Sequence, residues 1–316
     1  MPLISELKSM ESLLKIIVSG LDNAGKTSIL TALDKKYDFE RDIVQLKPTI
    51  RVEYHKMNFL KNNTIFWDMG GQETYREIYV NYQDVYFDST DLLIYVIDIQ
   101  DPDRFDNSLE YLDAILTFFS ENEMDVPIII TFHKYDPDLK ADNEILMNIE
   151  KLRDQILNKY PNFNILFQQS SIYDIISIVQ LVSYGLSVFD KKFFELSELL
   201  EYYLDIFKSQ ALIIFDRNGI IVSEFYSDIE PEVYIELLES IKEHLFLLKR
   251  MEEEKYEGTF DFTSSYGKLF SYLLKTKIKN DMFFISVVLK EREKEKFFEK
   301  FPEFHDDLIE ILEQLI

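Results

Sequence analysis

The 316-residue sequence contains no cysteine. That excludes disulfides, thiolate metal sites, prenylation and palmitoylation. It also fits a reducing, cytoplasmic setting. Basic residues are scarce: 34 Lys and Arg stand against 58 Asp and Glu, a formal net charge of -24. Such a surface repels nucleic acid and anionic lipid at long range, so neither is an expected partner. The four histidines (His55, His133, His244, His305) are scattered without metal-ligand spacing, and all read as surface or boundary residues. Long apolar runs are missing too. The longest, near Leu92–Ile97 and Val126–Thr131, are far too short for a bilayer and read as buried strands. The opening MPLISELKSME lacks the apolar stretch of a signal peptide. Pro2 stands where myristoylation needs glycine. Any membrane residence is therefore expected to come through a partner.

What is present is material for packed cores. Hydrophobic residues make up 47% and aromatics 15%, which argues against disorder, and the length suits two domains. In the first half, apolar runs alternate with helical patterns. Strands are expected at Leu14–Val18, Arg51–Leu60, Thr64–Met69, Leu92–Ile99, Pro127–Phe132 and Asn164–Gln169, and helices at Lys26–Leu33, Ser108–Phe119 and Asn143–Lys159. This alternation predicts an α/β fold: a six-stranded, mostly parallel sheet with helices on both faces. Lys61-Asn62-Asn63 is too short for anything but a hairpin, so one edge strand is antiparallel.

The pattern changes near residue 188, giving domains expected at 1–188 and 189–316. A helical stripe (Leu196, Leu199, Leu200, Tyr203, Leu204, Phe207) precedes strands at Ala211–Phe215 and Ile220–Tyr226. Between them Asn218-Gly219 signals a turn, since both residues tolerate positive φ. A helix entered near Pro231 carries Tyr234, Leu238, Ile241, Leu245 and Leu248 on one face. Strands at Gly258–Thr263, Lys268–Lys275 and Phe283–Leu289 follow, then a helix with Phe301, Phe304, Leu308, Leu312 and Leu315. The order is α-β-β-α-β-β-β-α. Asp101-Pro102-Asp103 and Asp136-Pro137-Asp138 lack the glycine and glutamate of a calcium loop and read as turns and helix caps. The Glu291–Lys300 charge run reads as a solvated helix face.

Gly20-Leu21-Asp22-Asn23-Ala24-Gly25-Lys26-Thr27 fits the phosphate-loop pattern G-x-x-x-x-G-K-[ST], with a strand before it and a helix after it, and Ser28 joins Gly20 and Asp22–Thr27 as an expected nucleotide contact. Glycines let the backbone wrap a phosphate, and the amides and helix N-terminus supply positive potential. Lys26 would reach the β- and γ-phosphates, and Thr27 would ligate Mg²⁺. In Asp68-Met69-Gly70-Gly71-Gln72, Asp68 would hold Mg²⁺ through water. Gly70 and Gly71 would turn toward the γ-phosphate, and Gln72 would orient the attacking water. Thr49, in Pro48-Thr49-Ile50, would offer its hydroxyl to Mg²⁺ and its N–H to the γ-phosphate. In Phe132-His133-Lys134-Tyr135-Asp136, the Asp136 carboxylate matches the two donors on the edge of guanine and mismatches adenine. Lys134 would pack along the base and brace the phosphate loop. The Ser171 and Ile172 amides would meet the guanine O6. Lys26 and Gln72 are thus the catalytic candidates, and the metal candidates are Thr27, Thr49 and Asp68.

The N-terminal half resembles Ras-superfamily GTPases, within them the Arf and Rag branches. GLDNAGKT and WDMGGQ are similar to the Arf pattern, whereas Thr49–Glu53 (TIRVE), His133-Lys134-Tyr135-Asp136 and Ser171-Ile172-Tyr173-Asp174 are closer to Rag forms. The resemblance spans roughly residues 12 to 188. The C-terminal element order resembles the roadblock fold that follows the GTPase domain in Rag proteins and dimerises. The resemblance implies a GTP/GDP- and Mg²⁺-binding switch, slow hydrolysis, contacts to effector, activating and exchange proteins, and homo- or heterodimers. Three alternatives stay open: a nucleotide-locked scaffold, a polarity-type GTPase stimulated by its own second half, and an ATP-using P-loop enzyme in which Asp136 is only a turn residue.

Overall fold

A computed structural model describes residues 13–35, 45–59, 62–187, 192–227, 231–256, 258 and 260–316. The expected domain boundary at 188/189 and the Leu60 end of the expected second strand lie outside the described residues. The chain divides into two compact units, Met1–Gly185 and Leu186–Ile316.

The first unit holds strands β1 (Leu13–Gly20), β2 (Val52–Phe59), β3 (Asn62–Met69), β4 (Leu92–Asp98), β5 (Ile128–His133) and β6 (Ile165–Ser170). Their order across the sheet is β2-β3-β1-β4-β5-β6. All neighbours run parallel except β2 and β3, paired antiparallel from Val52–Met69 to Phe59–Asn62. Asn62 thus belongs to the ladder rather than to the link. β4 and β5 sit mid-sheet with both faces covered, so their apolar runs are nearly continuous rather than alternating. Helices α1 (Lys26–Lys35), α2 (Glu73–Asn81), α3 (Gln83–Tyr86), α4 (Phe105–Glu121), α5 (Asn143–Lys159) and α6 (Ile175–Ser187) complete the unit. The α4 stripe of Tyr111, Leu112, Ile115, Leu116 and Phe119 is buried, and each such side chain contributes about 1.5–3 kcal/mol. β1 lies between β3 on one side and β4 on the other, and the strand order reverses there. The crevice beyond their carboxyl ends is where such sheets bind ligands.

The second unit runs α7 (Lys192–Phe207), β7 (Ser209–Asp216), β8 (Ile221–Tyr226), α8 (Pro231–Glu253), β9 (Phe260–Tyr266), β10 (Leu269–Ile278), β11 (Asp281–Lys290) and α9 (Lys294–Leu315). The antiparallel sheet has the order β8-β7-β11-β10-β9. Phe270 and Tyr272 meet Phe297 and Phe298 of α9. Ser286, opposite Leu273, instead bonds His244 of α8. Adjacent strand residues point to opposite faces, so helices cover both sides of this sheet. Phe304 stacks among Tyr203, Phe207 and Phe301, locking α7 to α9.

Local details depart from expectation. Only Gly219 of the Asn218-Gly219 pair takes positive φ (67°). Asp216 instead accepts from the Asn218 and Ile220 amides, building a longer turn in which one residue is left-handed. On α8 it is Leu237, not Leu238, that is buried. Two apolar neighbours leave the helix phase open, and packing decides it. His133 and His244 are fully buried rather than at a surface.

Candidate functional site

The phosphate loop leaves β1 at Gly20, whose φ of 142° and close approach to the Val96 carbonyl admit no side chain. Asn23 and Gly25 also take positive φ, and the Gly25 carbonyl then accepts from Ile29 N–H at 2.9 Å, starting α1. Ala24 is buried under the loop, whereas Asn23 is exposed. Lys26 is buried and donates to the Gly20 and Leu21 carbonyls at 3.1 and 2.6 Å. Burial lowers its pKa to about 8, against the opposing pull of the Asp68 and Asp22 carboxylates.

Three hard oxygens converge beside this loop. Thr27 Oγ1 lies 2.6 Å from Asp68 Oδ2 and 2.9 Å from Thr49 Oγ1, and Thr49 Oγ1 lies 3.1 Å from the same carboxylate oxygen. Asp68 is fully buried, and its Oδ1 has no partner among the described residues. Two hydroxyls and a buried carboxylate suit the oxygen preference of Mg²⁺. Asp22, Asn23, Gly25, Lys26, Thr27 and Ser28 form one wall of a cleft of about 270 Å³, and Thr49, Gly71 and Gln72 stand across it.

The Gly70–Gln72 turn rests directly on the phosphate loop. Asp22 N–H donates to the Gly71 carbonyl at 3.0 Å, and a Cβ on Gly71 would sit 2.2 Å from Asp22 N. Arg76 Nε donates to the same carbonyl at 2.9 Å, while its guanidinium lies over the Tyr111 ring. Gln72 caps α2 with an extended backbone. Arg51 adopts φ 59° just before β2, and its carbonyl accepts from Gly70 N–H and Tyr79 Oη. Arg51 therefore shapes this turn through its backbone, while its side chain is exposed.

The other end of the crevice is built at β5 and β6. Asp136 Oδ1 accepts from Ser171 Oγ at 2.6 Å, and Oδ2 from Gln100 Nε2 at 3.0 Å. His133 Nδ1 lies 2.9 Å from Ser170 Oγ, and its ring underlies Gly25, where a Cβ would come within 2.4 Å. Burial, with Lys134 nearby, holds its pKa down to about 3, so the ring is neutral. His133 thereby ties β6 to the phosphate loop.

Two residues expected at the nucleotide have other partners here. The Lys134 amine bonds Asp98 at 2.6 Å. The Ser171 amide donates to Ser177 Oγ at 3.0 Å, where residues 171–177 close into a turn entering α6. Ile172 stays half-exposed beside it. Asp136 starts a short 3-10 turn at Pro137 without capping it, since both carboxylate oxygens are engaged elsewhere. Sequence reasoning missed Asp98, Gln100 and Arg104. Arg104 donates to both the Asp22 carboxylate and its carbonyl. The strand-end position of Asp98 was the available signal; Arg104 carried none.

The family model of the ADP-ribosylation factor (Arf) family matches residues 1–173. ADP-ribosylation factor-like protein 3 of Chlamydomonas reinhardtii is 40% identical over 134 residues, covering 42% of this chain and 70% of that protein. Ras-related GTP-binding protein A of Dictyostelium discoideum is 30% identical over 190 residues, covering 56% of this chain and 62% of its own length. A solved Arl6 small GTPase from Trypanosoma brucei, with a bound nucleotide analogue, aligns over 56% of this chain and 97% of that one, at 18% identity and a TM-score of 0.45. With the phosphate loop, the three-oxygen cluster and the Asp136 end standing in one crevice, the chain belongs to the Arf family of small GTPases, and is a GTP hydrolase that uses GTP or GDP with Mg²⁺.

Proposed function

We propose that the chain is a molecular switch that hydrolyses GTP slowly until a partner accelerates it. The observation that carries this is the convergence of Thr27, Thr49 and Asp68 on one point beside Lys26. These three would hold the metal, which when bound supplies positive charge to the phosphate oxygens. The loop amides and Lys26 would cradle the β- and γ-phosphates, Lys26 exchanging its two loop carbonyls for phosphate oxygens. Gln72, at the cleft rim, would orient the attacking water. Asp136 would accept the N1–H and N2–H₂ donors of guanine, exchanging its bonds to Ser171 and Gln100. His133 would keep that end in register with the phosphate loop.

Both nearby arginines support slow turnover. Arg76 is held by the Gly71 carbonyl and Tyr111, and Arg104 by Asp22, so neither is poised over a transferring phosphate. A second cleft of about 380 Å³ opens beside Gln72, lined by Glu73 and Glu110 and by Arg76, Arg104 and Asp22, the last two paired with each other. With its own arginines so engaged, the site would take a cationic group from an activating protein. Such a group adds about 10³–10⁵ in rate to sites of this kind. Loss of the γ-phosphate would release the Thr49 and Gly70–Tyr75 segments, the effector-reading surface.

The second unit we assign to roadblock-like dimerisation, on its α-β-β-α-β-β-β-α order. Light scattering on the full chain should then give twice the chain mass for homotypic pairing, and the single-chain mass where the partner is a different roadblock-like chain. The hydrolysis reading is tested by single-turnover GTP cleavage. The purified chain should be slow, and Gln72→Leu should remove the residual turnover. Rapid cleavage by the chain alone would contradict the proposal.

A further inference from the structure

The half of Asp68 that faces away from Thr27 and Thr49 has its own surroundings. In the β2–β3 ladder Glu53 stands directly opposite Asp68, and His55 stands opposite Phe66, two residues along. Positions two apart on a strand share a face, so the sheet itself places Glu53, His55 and Asp68 together. One ligand atom from each of the three comes within 4.8 Å of the other two. Independently, His55 Nε2 and Asp68 Oδ1 are both buried and without a hydrogen-bond partner among the described residues. Orphaned buried acceptors are costly, and here an imidazole nitrogen and a fully buried carboxylate share the same cluster.

We propose that Glu53, His55 and Asp68 form a second divalent-metal site, suited to a transition ion such as Zn²⁺. An imidazole with two carboxylates is a donor set for Zn²⁺ or Co²⁺, whereas Mg²⁺ prefers oxygen alone. Tetrahedral Zn²⁺ with bonds near 2.1 Å puts its ligands about 3.4 Å apart, so rotamer adjustments at the exposed Glu53 and the half-buried His55 close the site. Water fills the fourth position. Asp68 then bridges, with Oδ1 toward this ion and Oδ2 toward the threonine hydroxyls. An ion on Oδ1 withdraws charge from Oδ2, so occupancy loosens Mg²⁺ and speeds nucleotide release. That regulatory consequence, unlike the site, rests on the reading of Thr27, Thr49 and Asp68 given above.

The test uses the full chain loaded with GDP, in excess Mg²⁺, titrated with Co²⁺. Visible absorption follows the metal, because tetrahedral Co²⁺ absorbs far more strongly than the octahedral ion. We expect one tetrahedral Co²⁺ per chain, displaced by Zn²⁺. Binding should weaken about tenfold or more in His55→Ala and in the milder, surface-located Glu53→Gln. Thr27→Ala should leave the Co²⁺ signal intact while weakening Mg²⁺-dependent GDP retention, so failure of the Mg²⁺ assignment and failure of the new site give different results. Absence of a saturable tetrahedral signal overturns the proposal. So does a signal unchanged in both His55→Ala and Glu53→Gln.

Discussion

Each unit buries one neutral histidine, and this makes acid a selective denaturant. Burial holds His133 and His244 each at about 3, against an ordinary value of 6.5. Below 6.5 an unfolded chain protonates both positions while the folded chain leaves both neutral down to about 3. The unfolded state therefore binds more protons across that window. Stability is full above 6.5 and falls as the pH drops toward 3. Moving from pH 7.5 to 5.5 removes about 1.4 kcal/mol per histidine. For a unit the size of the first, that is a melting shift of about 3–6 °C. The strongly acidic surface responds to pH as well, but equally in a variant, so the comparison isolates the imidazole. Thermal melts at both pH values should show His133→Asn less acid-sensitive by this amount. His244→Gln should do the same for the second unit. An unchanged pH slope in both variants would refute the reasoning, since it would mean that neither ring is held neutral by the fold.

Two further outcomes follow from packing. Gly71→Ala places a methyl 2.2 Å from backbone atoms of Leu21 and Asp22 that cannot yield like a flexible side chain. The turn must lift from the phosphate loop, forfeiting the Asp22 and Arg76 bonds to the Gly71 carbonyl, about 1–3 kcal/mol together. Stopped-flow release of a fluorescent GDP analogue should show the altered turn as a changed off-rate, and an unaltered rate would count against a rigid contact. Phe304→Ala empties a fully buried site among three aromatic rings, costing about 3–5 kcal/mol. Calorimetry should show the second unit melting about 10–20 °C lower.

Much of the fold was legible because two periodicities switch cleanly. The phosphate loop announced itself between an apolar strand and a helix, and the short polar link before Thr64 forced an antiparallel edge. The buried histidines were legible only in hindsight. His133 ends an unbroken buried strand, and His244 falls one turn after Ile241, but polarity masked both positions. Leu237 and Leu238 could not be ranked, since neighbouring apolar residues fit the same stripe until a partner surface chooses. The Arg104–Asp22 and Lys134–Asp98 pairs join residues 82 and 36 positions apart. No local pattern encodes such pairs; they exist only once parallel strands bring their carboxyl ends to one edge. The same holds for the Ser171 amide, claimed by Ser177 through a turn that a two-serine motif does not reveal.

The central claim is that one crevice holds phosphates at Lys26 and selects the purine at Asp136. Isothermal titration of the full chain with GDP, GTP and ATP in Mg²⁺ tests it most directly. The account predicts saturable heat for both guanine nucleotides and affinity for ATP weaker by about a hundredfold or more, because adenine leaves the Asp136 carboxylate without donors. Equal affinity for ATP, or no heat with any of the three, would contradict it.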